Sequence, residues 1–242
     1  MASSAEARSV PRTARERARA EITREILEAG RRHLATDGAA ALSLRAIARD
    51  LGMVSSAVYR YVASRDDLLT RLIIDAYDGL GAAAESREAA VDRADLASRW
   101  SAVCLAVRDW ALANLNEWAL IYGSPVPGYV APADTIGPAS RVSNLLVQIL
   151  ADAASAGIEL PDPACRQLSP AARAALAPVA AALPAEVTNE AIQAGLMVWS
   201  ALLGTVSLEL FGQFQNVVGK NSGDREAFFA ECIARWAAQI GL

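Results

Sequence analysis

Lysine and histidine each occur once in this chain of 242 residues, and cysteine three times. Cys104, Cys165 and Cys232 are far apart, odd in number and never arranged as Cys-x-x-Cys. That argues against a disulfide framework and a Cys/His metal site, and it suits a reducing cytoplasm. The lone His33 sits on the apolar side of a helical pattern and is expected in the core rather than as a ligand. No Gly-rich phosphate loop and no nucleophile–base pairing occurs, so the sequence predicts neither an enzyme nor a cofactor. Val, Ile and Thr nowhere alternate with polar residues over a strand length, whereas alanine is abundant; an all-α protein follows. Charged residues make up 21% against 53% hydrophobic, which excludes global disorder. The first stretch, "MASSAEARSVPRTARERARA", lacks the apolar segment of a secretory signal.

One long uncharged run is present. "AIQAGLMVWSALLGTVSL" (Ala191–Leu208) approaches the ~18 to 20 residues that cross a bilayer. Gln193, Ser200, Thr205 and Ser207 interrupt it, Glu190 and Glu209 bracket it, and no Lys/Arg cluster orients it. A helix buried on most of its circumference is expected, with no membrane partner. Charge is unevenly divided. Residues 1–71 hold 13 arginines against 9 acidic residues, a net of +4, and the remainder carries −8. A basic front on an acidic body points a polyanion at the front alone.

Residues 1–17, with Arg8, Arg12, Arg15 and Arg17, read as a flexible arginine-rich arm, with Arg19 just beyond it. A first helix starts near Ala14 or Ala18 and is stopped by Asp37-Gly38. Ser43 is the expected N-cap of a second helix burying Leu44, Ile47, Ala48 and Leu51. After Gly52 a third helix spans Ser55 to Val62, with Val54, Val58 and Val62 as its buried stripe, and Ser64 opens a fourth. Beyond Gly81 the composition shifts. Helices are predicted from Asp92 or Asp95 to Asn114, Glu117 to Tyr122, Val142 to Ala156, Ser169-Pro170 to Leu183, Glu186 to Val218 and Asp224 to Ile240. "GSPVPGYVAPADTIGPAS" (Gly123–Ser140) reads as an ordered, irregular loop that either gates a pocket or merely connects.

Two short helices joined by a turn containing Gly form a helix-turn-helix, whose second helix can enter a DNA major groove. Ser55, Ser56, Tyr59 and Arg60 occupy the outward side of that helix, and small residues such as Ser56 and Ala57 let its backbone approach base edges. Arg60 is suited to guanine or to phosphate alone. With "ILEAGRRHLATDG", "LSLRAIARDLGMVSSAVYRYV" and "SRDDLL", the stretch Ile26–Leu69 resembles the tetracycline-repressor (TetR) family of transcriptional regulators.

The resemblance implies a helix-turn-helix DNA-binding domain at 18–75 and a helical effector-binding and dimerisation domain at 76–242. It implies phosphate contacts from Ser43, Tyr59, Tyr61 and Arg65, and base-facing positions at Ser55, Ser56, Ala57 and Arg60. Arg12 and Arg15 of the arm would reach the backbone or minor groove. "WALIYGSPVPGYVAP" and "VWSALLGTVSLELFGQF" look like a subgroup whose penultimate helix carries Trp and then His-Gly; here Leu203-Gly204 stands in that place. Effector candidates are Trp100, Cys104, Asn114, Trp118, Tyr122, Tyr129, Trp199, Leu203 and Phe211, although a stripe such as Trp100, Cys104 and Trp118 suits a core as well as a pocket. The last two helices would pair with their symmetry mates, through small residues (Gly195, Ser200, Gly204, Gly212) that equally suit packing inside one subunit. The function expected is a homodimeric regulator that binds a roughly palindromic duplex operator and is released by a small apolar or amphipathic effector. A helical partner-binding protein without DNA function and an all-α enzyme are the alternatives.

Overall fold

Thr13 fixes the start of the first helix. Its hydroxyl accepts from the Glu16 backbone N–H while the Glu16 carboxylate accepts from Thr13 N–H, a reciprocal capping box. The computed structural model describes residues 13–158, 168–181, 183, 187–219 and 221–242, and these are helical with turns between. Helix α1 (Ala14–Asp37) ends at Gly38, whose φ of 77° is open to a residue without Cβ. Of the arginines expected on the arm, Arg15 and Arg17 lie on α1, while Arg8 and Arg12 lie outside the described residues.

Helices α2 (Leu44–Asp50) and α3 (Ser55–Val58) follow, and α4 runs from Arg65 to Ala89. Two of the predicted details fail here. Ser43 has N-cap torsions but its side chain makes no capping hydrogen bond. Val54 is 70% exposed instead of forming a stripe with the fully buried Val58 and Val62. The reason is local: α3 is one turn long, Val54 precedes it in extended backbone, and turns carry the chain on to Val62, so an i, i+4, i+8 register never develops.

Chain contacts divide the molecule into two compact units, residues 1–73 with 124–132, and residues 74–123 with 133–242. Helix α4 contributes to both. The first unit closes over Ile26, Ala29, Leu44, Ile47, Val58, Val62, Leu68 and Leu69, all almost wholly removed from water. At roughly 1.5–3 kcal/mol for each fully buried large aliphatic side chain, this small core suffices to seat α3. Gly30 allows the approach of Leu68 and Leu72, which would stand 3.3–3.4 Å from an added Cβ. His33 is half-buried rather than in an apolar core; its Nε2 lies 2.6 Å from Asp50 Oδ2 and its Nδ1 3.4 Å from Asp37 Oδ2.

The second unit is built from the rest of α4 with α5 (Leu96–Ala113), α6 (Leu115–Tyr122), α7 (Ile136–Ser155), α8 (Pro170–Ala180), α9 (Asn189–Leu210) and α10 (Ser222–Gln239). The shift in composition at Gly81 is no helix end. Gly79 and Gly81 lie inside α4 where Trp110 and Arg141 pass, and a Cβ on Gly81 would meet Arg141 Nε, Cδ and Cβ at 2.7–2.9 Å. Helix α7 begins six residues before the expected Val142, and α8 and α9 are shorter than expected; Gly212, at φ 76°, lies in the turns that follow α9. Two buried ion pairs cross-link the bundle. Arg108 donates to both oxygens of Glu209 at 2.6–2.7 Å. Arg99, fully buried, donates to Glu88 and Asp152 at 2.6–2.7 Å. Burial alone would lower the pKa of Arg99, but the carboxylates of Asp152 and Glu88 outweigh it and raise it.

Candidate nucleic-acid interface

Burial sorts the residues of the helix-turn-helix. Leu44, Ile47 and Ala48 point inward from α2, and Gly52 turns the chain at φ 65°, where a side chain would be strained. On α3 and just beyond it, Val58 and Val62 are buried, Ser55 is half-buried, and Ser56, Tyr59 and Arg60 face solvent. Tyr59 is 48% exposed, a large aromatic ring beside a hydroxyl and a guanidinium. Ala57 corrects the prediction. The family resemblance implies a base-facing position for it, yet it is buried beside Val58 because a one-turn helix turns two successive residues to the core.

The two tyrosines, alike in sequence, differ in role. Arg19 of α1 lays its guanidinium 5.3 Å from the centre of the Tyr61 ring and donates through Nη2 to the Arg60 carbonyl at 2.9 Å. Tyr61 is thereby half-buried under a cation, while Tyr59 stays open. Arg65 is similarly engaged, its Nη2 donating to the carbonyls of Ala39 and Ala40 at 2.9 and 3.2 Å. It joins the start of α4 to the short turn of 3-10 helix before α2. Asp67 accepts from the Ala63 backbone N–H at 2.7 Å and from Arg71 Nε at 2.8 Å, which fixes the α3–α4 connection. Burial would raise the Asp67 pKa, but these hydrogen bonds from Arg71 and Ala63 lower it on balance.

Arg45 and Arg49, exposed on α2 one turn apart, were missed as members of a basic surface. Their i, i+4 spacing in "LRAIARD" was the available signal. The role of Arg19 had none, because its contacts with Arg60 and Tyr61 span some forty positions of chain.

The expected effector residues scatter. Trp100, Cys104 and Trp118 are core: the Trp100 indole donates to the Ile233 carbonyl at 3.2 Å and that of Trp118 to Ser207 Oγ at 3.1 Å. Burial pushes the Cys104 thiol well above its ordinary pKa, so it is inert. Asn114 joins α5 to α6 and donates to the Trp110 carbonyl at 2.8 Å. Tyr122 packs at 4.6 Å against Trp118 and edge-on to Tyr77. Tyr129 falls in the first unit, 2.9 Å from Thr70 Oγ1. Leu203 packs half-buried on the core, and Phe211 is 45% exposed just past α9. Trp199 lines a cavity. That cavity, about 260 Å³, lies among α7 (Leu146, Val147, Leu150), α8 (Val179) and α9 (Ile192, Trp199).

Two family models match the chain. Residues 26–72 match the family model "Bacterial regulatory proteins, tetR family", and residues 100–236 match "Tetracyclin repressor-like, C-terminal domain". HTH-type transcriptional regulators of Mycobacterium bovis (Mb1846) and Mycobacterium tuberculosis (Rv1816) are each 45% identical over 209 residues, 81% of this chain and 84% of theirs. The crystal structure of the regulatory protein SCO4313 superposes with a TM-score of 0.73 at 32% identity, covering 93% of this chain and 100% of that one. A Rhodococcus protein of unknown function shares the fold, with a TM-score of 0.66 at 22% identity, over 91% of this chain and 96% of its own. The chain belongs to the TetR family: it is a DNA-binding transcriptional regulator, and its relatives are regulators rather than enzymes.

Proposed function

We propose that the protein is a cytoplasmic homodimeric repressor that holds an approximately palindromic operator through α3 of each subunit and lets go when a small apolar or amphipathic effector binds. The observation that carries this reading is the surface of the third helix. Ser56, Tyr59 and Arg60 are exposed to water beside the buried Val58 and Val62, so they are anchored by their neighbours while their side chains stay accessible. Hydroxyls and a guanidinium on a short, anchored helix suit phosphate and base edges. Ser43, Ser55 and Arg15 are proposed to join them at the backbone, with Arg12; Tyr61 and Arg65 are proposed to act by holding α3 and α4 in position.

Dimerisation is supported by α9. In one subunit only 33% of its apolar stretch is buried, which corrects the expectation of a helix enclosed on most sides. Ala191, Ile192, Ala194, Val198, Leu202 and Val206 face the core. Gln193, Met197, Ser200 and Leu208 recur at helical spacing on an exposed face, and a Cβ at Gly204 would touch nothing within 4 Å. Among the described residues Gly204 thus stands on an open face, whereas Gly195 faces a neighbour, since its Cβ would lie 3.2 Å from Leu150. On α10, Ala227, Ala230, Ala234 and Ala238 form a matching exposed stripe of small side chains. Such faces allow close pairing with a second copy. Two-fold symmetry then sets the two α3 helices ~34–36 Å apart, or a multiple, along the duplex.

Titration of the purified protein into labelled duplex from upstream of its own gene, followed by fluorescence anisotropy, tests the reading. Binding at one dimer per site that weakens steeply with added salt is expected. Absence of any duplex bound above the non-specific level would defeat it.

A further inference from the structure

We infer that the cavity among α7, α8 and α9 is the effector site and that it takes an uncharged, predominantly apolar molecule of about nine or ten non-hydrogen atoms. This rests on the reading of the protein as an effector-released regulator. Among the described residues, every one lining the cavity is uncharged, and apart from Ser143, Gly195 and Trp199 these walls are aliphatic. A carboxylate or ammonium entering it would lose its hydration without gaining a counter-charge, a cost that an uncharged molecule of the same length avoids. The size follows from the volume: 260 Å³ holds about nine water-sized groups at ~30 Å³ each. Few polar groups of the walls can meet the ligand. The Ser143 hydroxyl already donates to the Ser140 carbonyl at 3.0 Å and can only accept. The Trp199 indole N–H has no acceptor among the described residues, so a hydroxyl or carbonyl oxygen can take it up.

Of the aromatic stripe expected at the effector, Trp100, Cys104 and Trp118 are packed in the core of the bundle and do not line this cavity. Helix α8 lies on α9 with none of its own residues completely buried. Its Leu176 and Ala180, with Leu183, rest on Val187, Ala191 and Ile192, and Arg173 pairs with Glu190 at 2.9 Å beside them. Helix α7 presents Leu146, Val147 and Leu150 to the cavity, and it carries Arg141, which donates to Asp78 and Glu85 of α4. A molecule seated there touches the helix that grips α4.

Calorimetric titration of the full chain with 1-nonanol, nonanoate and nonylammonium at neutral pH tests the assignment. The alcohol is expected to bind on the order of tenfold or more tightly than either ion. Val147→Phe and Ser143→Leu, each adding bulk to the cavity, are expected to abolish alcohol binding without lowering the melting temperature. No binding of the alcohol, equal binding of an ion, or undiminished binding in both variants would overturn the inference. If a variant fails to fold, the selectivity of the wild-type chain still decides. Operator binding by the unliganded wild type, measured in parallel, reports separately on the regulator reading, so either can fail alone.

Discussion

Ser43, Asp67 and Tyr59 show what single side chains do here. Ser43 occupies a cap position without making the cap bond, so Ser43→Ala is expected to change stability by less than the ~1 kcal/mol typical of a lost N-cap, while weakening operator binding if its hydroxyl meets phosphate. Paired thermal melts and anisotropy titrations separate the two effects. Asp67 behaves oppositely. Its folded pKa is depressed, so its carboxylate stabilises the fold at neutral pH, and that contribution is lost as pH falls below the ordinary carboxylate value through the folded one. Asp67→Asn is expected to melt lower than wild type at pH 7, with the gap closing towards pH 3. A gap that stays constant over that range would refute the assignment.

Helices meet where glycine permits it. Arg141 of α7 crosses α4 over Gly81 and reaches Asp78 and Glu85, and these carboxylates push its pKa above the ordinary guanidinium value despite partial burial. Gly81→Ala would drive a methyl into the Arg141 side chain near its root, where it cannot swing aside; a loss of about 1–3 kcal/mol is expected, as for overpacked cores. Gly81→Ala combined with Arg141→Ala should recover part of that loss in a double-mutant cycle, and strict additivity would count against the contact.

The same crossing marks the limit of what could be read from sequence. Leu44, Ile47, Ala48, Val58 and Val62 were legible because the pattern of α2 and its turn is local. Val54 and Ala57 were not, because a helix of one turn does not follow the periodicity of a longer one. The Gly79 and Gly81 approaches, the Arg108–Glu209 pair and the Arg19–Tyr61 stack join residues distant in the chain. No local pattern encodes them.

For the molecule as a whole, an acidic C-terminal body carries a basic front, and the exposed apolar face of α9 is left over once the subunit has folded. Met197, 54% exposed on that face, is expected to be covered by a second copy. Met197→Glu should shift sedimentation from dimer to monomer and weaken operator binding, since one α3 cannot span two half-sites. A variant that remains dimeric would move the interface elsewhere.

The most direct test replaces Tyr59 and Arg60 together by alanine, leaving Val58 and Val62 to seat the helix. The double variant should melt and sediment as the wild type does, yet bind the operator on the order of a hundredfold more weakly, at ~1–3 kcal/mol for each lost contact. Undiminished affinity in a folded variant would show that the duplex is held by another surface.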